Sequence, residues 1–155
     1  MKMTLRPASD IDFEQISGWI TDQQACTRWS GLEKCFPFVN ESLSSLLHKS
    51  DAVSLVLSIE QEELMGFAQY WPRDEQRTHL GRIIVNPDQR GQGIGKILCE
   101  QLIAAANEAT KKPIISLRVY RDNHTAHQLY LQLGFEARED DSTPEVLAME
   151  KRLEV

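Results

Sequence analysis

The chain has 155 residues, with 17 Lys and Arg against 23 Asp and Glu, a net charge of −6 with histidine neutral. That length suits a single domain with a real core, and 41% hydrophobic with 26% charged residues excludes wholesale disorder. The acidic balance disfavours nucleic acid as a partner, and no run of about 18 apolar residues exists to cross a membrane.

The start, MKMTLRPASDIDF, has no apolar core of a secretory signal. Thr4–Arg6 reads as a short strand stopped by Pro7. Ser9 with Asp12 resembles a capping box, after which Phe13, Ile16 and Ile20 recur at helical spacing. A second short helix is predicted over Gln23–Trp29, and Asn40 is a candidate cap for a helix carrying Leu43, Leu46 and Leu47. Ala52–Ile59 and Leu64–Trp71 are extended, apolar and separated by the polar run Glu60–Glu63, a hairpin pattern. Pro72–Gln76 is a polar loop, and His79–Val85 is a further strand ending at Asn86-Pro87.

Gly91, Gly93 and Gly95 then lead into a long helical pattern through Ile97, Leu98, Leu102, Ile103 and Ala106, ending before Pro113. Ile114–Tyr120 is another strand. Asp122 or Asn123 caps a helix bearing Ala126, Leu129, Tyr130 and Leu133, with Gly134 as left-handed terminator. Phe135–Arg138 and Val146–Arg152 close the chain as strands around an acidic loop. Helices, then strands, then strand–helix–strand–helix–strand predict an α/β (α+β) domain on a mixed sheet over residues 1–155.

Three cysteines, Cys26, Cys35 and Cys99, lack CxxC spacing. The expectation is no disulfide framework, no structural zinc and a reducing, cytoplasmic location. Cys99 falls inside the long helix and reads as a small buried residue. His124 and His127 stand at i, i+3 without a recognisable third ligand, so no metal site is expected. The run Glu139-Asp140-Asp141 reads as a solvated loop.

The stretch from Val85 to Lys96 is strand, glycine-rich turn and helix N-terminus in that order. The first turn of a helix leaves about four main-chain donors unpaired and carries partial positive charge. Glycine admits dihedrals closed to other residues and lets an anion approach the backbone. Arg90 and Lys96 add a full charge at each end, so a phosphate or pyrophosphate ligand is the natural reading. It is not a Walker loop: Arg90 replaces the first glycine and Ile97 the magnesium-binding hydroxyl. It is not the dinucleotide fingerprint either, since GxGxG stands where GxGxxG is needed.

Arg90-Gly91-Gln92-Gly93-Ile94-Gly95 resembles the Q/R-x-x-G-x-G/A loop of the GNAT superfamily of acetyl-CoA-dependent N-acetyltransferases. Ile83-Ile84-Val85-Asn86-Pro87 is similar to the strand that leads into it. Leu117, Val119, Asn123, Ala126, Tyr130 and Gly134-Phe135 resemble the family's second block, so that the two blocks span about residues 79–136. The resemblance implies a GNAT-like, mostly antiparallel central sheet flanked by helices, with a splayed strand at the acetyl-CoA site.

The resemblance also implies an acetyltransferase, an acyltransferase moving an acetyl group from acetyl-CoA to a primary amine by direct attack in a ternary complex. Ile83, Ile84, Val85, Arg90, Gly91, Gln92, Gly93, Ile94, Gly95, Lys96, Asn123 and Tyr130 would serve the co-substrate. Alternation along the strand is expected to put His79, Gly81, Ile83 and Val85 on one face and Ile84 on the other. Tyr130 would protonate the departing thiolate, and an amide near Ile83–Val85 would stabilise the oxyanion. His79 stands where many relatives carry a glutamate and is the candidate base, with a water chain or another acid as alternatives. The acceptor is a small-molecule or protein amine. A homodimer, transfer of a different acyl group, and a non-catalytic acyl-CoA sensor stay open.

Overall fold

The computed structural model describes residues 2–33, 35–38, 43–60 and 63–153. Among these residues, seven strands form one sheet: β1 (Met3–Pro7), β2 (Val53–Ile59), β3 (Glu63–Pro72), β4 (Arg77–Val85), β5 (Ile114–Tyr120), β6 (Glu136–Ala137) and β7 (Val146–Arg152). Their order is β1-β2-β3-β4-β5-β7-β6, and every pairing is antiparallel except β4 with β5. The helices are α1 (Asp10–Ser17), α2 (Gln23–Ser30), α3 (Leu43–Leu46), α4 (Ile94–Thr110) and α5 (His124–Gln132).

The predicted elements are present, most of them shifted by a residue or two at their ends. Ser9 accepts the Asp12 amide while the Asp12 carboxylate accepts the Ser9 amide, so the capping box is real. Arg6 adds a bidentate pair to the same carboxylate at 2.7 and 3.0 Å, which ties α1 to β1. Asn123 is the cap of α5, and Gly134 at φ 96° terminates it, with the Phe135 amide reaching back to the Tyr130 carbonyl. The predicted cap Asn40 and the turn residues Gln61 and Glu62 lie outside the described residues.

Two apolar layers sandwich the sheet. On one face α4 and α5 bury Leu98, Leu102 and Tyr130 against Leu57, Leu80, Leu117 and Met149. On the other, α1 and α3 bury Phe13, Ile16 and Leu43 against Val56, Leu64 and Phe67. The α1–α3 helices cover mainly β2 to β4, with Arg28 of α2 reaching the end of β5. Beyond β4 that face carries Ser116, Arg118, Tyr120 and Glu150, with only Ile114, Val146 and Ala148 as apolar residues between them. Among the described residues, no helix is long and apolar enough to cross a membrane.

One expectation about the cysteines is overturned. Cys26 of α2 and Cys35 form a disulfide, closing a loop nine residues apart in sequence. Neither residue type nor spacing announced it; the pairing exists because α2 turns back at Gly31, in the left-handed region at φ 79°, and returns the chain beside its own helix. Cys99 is free and buried, with its thiol pushed up to about 12 by burial and by Glu100.

Candidate active site

The strands β4 and β5 pair at only three positions: Arg77 with Ile114, Thr78 with Ile115 and His79 with Ser116. Both then run on, to Val85 and Tyr120, without pairing with each other. The result is a V-shaped opening in the middle of the sheet, with His79 and Ser116 at its vertex. Ile83, Ile84 and Val85 line the β4 side and are only half-buried, whereas Phe67 and Ala68 on the neighbouring strand are fully buried.

A bulge in β4 accompanies the divergence. Gly81 faces Gln69 and Ile84 faces Phe67, so β4 takes three steps where β3 takes two. The extra residue is Arg82, in the left-handed region at φ 52°. Its guanidinium donates to the carbonyls of Ser30 (2.9 Å) and Leu47 (3.0 Å) and to Gln69 Oε1 (3.0 Å), while its own carbonyl accepts from the Trp29 indole at 2.8 Å. These four bonds hold an otherwise unfavourable conformation in place.

The bulge corrects the expected alternation. His79 and Gly81 face the α2 side, whereas Ile83 and Val85 pack into the α4 layer. Ile84 does point opposite to Ile83 and Val85, into the layer of α1 to α3. A strict period of two fails because Arg82 inserts one residue. A glycine followed by a lone arginine inside an apolar strand was the available signal.

At the vertex, His79 Nδ1 lies 2.8 Å from Ser116 Oγ, and its ring sits 5.2 Å from the Trp71 ring. Trp71 folds over Gly81, where a Cβ would stand 2.5 Å from the indole. Burial lowers the His79 pKa to about 4, helped by the positive charges of Arg73, Arg118 and Lys49 and opposed by Asp141. The imidazole is therefore neutral at pH 7 and keeps an accepting nitrogen.

At the open end, Asn86 leaves β4 by donating its amide to Met65 and its side chain to Leu64, then accepts the Asp88 amide. A short 3₁₀ turn, Pro87–Gln89, follows. Gly91 (φ 82°) and Gly93 (φ 77°) take left-handed conformations, and α4 begins without a side-chain cap. Among the described residues, the amides of Gly93, Ile94, Gly95 and Lys96 donate to no main-chain carbonyl. Arg90, Gly91, Gln92 and Lys96 are exposed around them. Gly95 passes 3.4 Å from Leu129 and 3.8 Å from Val85, measured from the Cβ it lacks, which draws α4, α5 and β4 together at this turn.

Tyr130 is 6% exposed and packs edge-on against Phe135 at 5.8 Å in the α4 layer. Burial, with Cys99 nearby, pushes its phenol well above the ordinary tyrosine range, so it stays protonated. Asn123 is exposed and spends its side-chain oxygen on the Ala126 amide at 3.3 Å, capping α5. His124 is exposed and His127 half-buried. Among the described residues, no group of three metal-ligating side chains forms.

The α2 side of the opening brings in residues that sequence reasoning did not select. Arg28 stacks over Tyr120 at 4.1 Å and pairs with Asp122, joining α2 to the end of β5. The acidic run is not simply solvated: Glu139 pairs with Arg121, Asp140 with Arg138, and Asp141 with Arg73. Partners as distant as Arg28 with Asp122 and Arg73 with Asp141 leave no periodic trace in a sequence.

The model of the acetyltransferase (GNAT) family matches residues 16–135. The chain belongs to that family. It is 30% identical over 108 residues to UPF0039 protein C11D3.02c of Schizosaccharomyces pombe, covering 65% of this chain and 67% of that one. Among solved structures, the PaiA N-acetyltransferase of Thermoplasma acidophilum in complex with coenzyme A superposes with a TM-score of 0.75 at 19% identity, covering 99% of this chain and 100% of that one. The spermidine N-acetyltransferase of Vibrio cholerae, in complex with CoA and spermine, gives 0.76 at 19% identity, covering 97% and 95%. The GNAT fold expected from the two sequence blocks is the fold observed.

Proposed function

We propose that the protein is an N-acetyltransferase that uses acetyl-CoA and acts by direct attack of an amine. One observation carries this reading: the opening between β4 and β5 leads from a neutral histidine at its vertex to a cradle of unpaired amides at its mouth.

The residues fit the co-substrate. Four converging amides, with Arg90 and Lys96 beside them, suit a pyrophosphate, and the positive-φ glycines keep side chains out of its way. The unpaired edge of β4 from Gly81 to Val85 offers main-chain groups to an extended amide-bearing arm, as an added strand would take them. The half-buried Ile83 and Val85 supply apolar contact. Coenzyme A-bound relatives of the same fold support this assignment.

Bound there, acetyl-CoA supplies a thioester whose carbonyl carbon accepts the amine nitrogen as the C–S bond breaks. An amide of the Ile83–Val85 segment stabilises the oxygen that becomes anionic, a type of contact worth about 10²–10³ in rate. Tyr130, protonated at any working pH, donates to the departing sulfur. His79 accepts the ammonium proton directly or through water. With a pKa of about 4 it does not store that proton at pH 7 but passes it on to solvent. Asn123 keeps α5 capped, so that its first turn stays at the cleft.

The test is incubation with acetyl-CoA and a panel of amines, read as free thiol and as acetylated product by mass spectrometry. Stoichiometric thiol and acetylamine are expected. Coenzyme A binding with no turnover of any amine would replace this reading with a binding domain.

A further inference from the structure

Around the vertex, the α2 side of the opening carries more positive than negative charge. Lys49, before β2, places its Nζ 5.0 Å from the centre of the Trp71 ring and meets no carboxylate among the described residues. Arg73 and Arg118 share one partner, Asp141, at 2.9 and 3.9 Å. Arg118 projects from β5 on the same face as Ser116, two residues along, and so stands beside the vertex. Arg82, 5.9 Å from the Trp71 ring, bonds only to neutral oxygens. A chain of net charge −6 thus gathers a cationic patch where an acceptor amine would approach His79.

The nearby carboxylates offset this only in part. A shallow cavity of about 220 Å³ adjoins the patch, lined by Arg73, Arg77 and Arg138 with Asp74, Asp140, Asp141 and Glu150. Each of those four acids already pairs with an arginine: Asp74 and Glu150 with Arg77, Asp140 with Arg138, Asp141 with Arg73. None is left to receive the several ammonium groups of a polyamine. A polycation would also bring like charges against Lys49 and Arg118, which disfavours docking.

We propose that the acceptor is an amine that also carries an anionic group, a carboxylate or a phosphate, which docks against Lys49, Arg73 and Arg118 while the nitrogen reaches the vertex at His79. This rests on the transferase reading above and sets the acceptor apart from the spermine bound by the Vibrio relative. The Trp71 ring, flanked by Lys49 and His79, forms the floor beneath the bound molecule.

The experiment compares matched acceptors with acetyl-CoA: phenylalanine against phenylalaninamide, phosphoethanolamine against ethanolamine, and spermidine. The acid-bearing member of at least one pair is expected to show about tenfold higher kcat/KM than its neutral partner and than spermidine. The carboxylate and phosphate arms tell which anion is preferred. Arg118→Gln and Lys49→Gln are expected to shrink that advantage, chiefly through KM. Lys49→Gln breaks no ion pair among the described residues and loses only the contact over Trp71, so it is the structurally milder of the two. Equal or better use of the neutral amines or spermidine overturns the proposal while leaving the transferase reading in place. Bound coenzyme A with no turnover of any acceptor overturns both.

Discussion

His79 and Ser116 face each other at the last rung that β4 and β5 share, their side chains 2.8 Å apart, and beyond them the sheet opens. The same pair therefore closes the sheet on one side and forms the end wall of the cleft on the other. Ser116 is buried and fixes one ring nitrogen of His79, while Trp71 fixes the ring plane. Position and protonation of the imidazole are set together.

The depressed pKa of His79 has a signed consequence. Its value is about 4 in the folded protein against 6.5 for the ordinary side chain, because burial and three nearby cations disfavour the charged form. Between those two pH values the unfolded chain binds the extra proton, so stability rises with pH and is fully present above about 6.5. Thermal stability is expected to fall from pH 6.5 toward pH 4, and His79→Asn is expected to flatten that dependence. If His79 accepts the amine's proton, the acid limb of kcat that it governs falls near pH 4. A limb centred near 6.5 that vanishes in the variant would contradict the burial assigned to the ring.

Tyr130→Phe removes one hydroxyl from a packed aromatic pair and keeps the ring against Phe135. The account predicts a kcat lower by about a hundredfold to ten-thousandfold, the range for loss of a positioned proton donor. Coenzyme A affinity, measured by calorimetry, is expected to stay within about twofold, well under one factor of ten in binding. An unchanged kcat would remove Tyr130 from the reaction.

Arg82 holds the bulge through three side-chain bonds to buried or half-buried oxygens. Arg82→Ala is expected to cost about 2–4 kcal/mol in denaturant unfolding, since charged hydrogen bonds are lost and carbonyls are left unpaired. Arg82→Gly loses the same bonds but relieves the left-handed backbone, and is expected to be about 1 kcal/mol less damaging than Ala. The reverse order would mean that the φ of 52° carries no strain.

Much of this was legible in the sequence, for identifiable reasons. The capping box at Ser9 and Asp12, the terminator Gly134 and the strand Ile114–Tyr120 are local, and local chemistry is written in consecutive residues. The turn at Gly91 and Gly93 was legible because only glycine meets its dihedrals cheaply. What escaped depends on partners distant in sequence. Arg82 is anchored by Ser30 and Leu47, Arg28 by Tyr120 and Asp122, and the Asp141 carboxylate by Arg73 and Arg118. Strand alternation misplaced His79 relative to Ile83 because a single inserted residue inverts every face after it.

The Cys26–Cys35 disulfide makes a simple count decisive. Denatured, unreduced protein is expected to titrate one thiol, that of Cys99, and three after reduction. Reduction is expected to lower stability by about 2–4 kcal/mol, the usual range for closing a loop of this kind. Three thiols without reductant would show that the two sulfurs are not joined.

The central claim is that coenzyme A lies between the diverging strands with its pyrophosphate on the start of α4. The most direct measurement is a titration of coenzyme A into isotope-labelled protein, followed amide by amide in nitrogen–proton correlation spectra. The account predicts the largest shifts at Gly93 to Lys96 and at Gly81 to Val85, with β1 and β2 nearly still. Saturating coenzyme A that leaves those amides unmoved, or moves a different surface, would contradict it.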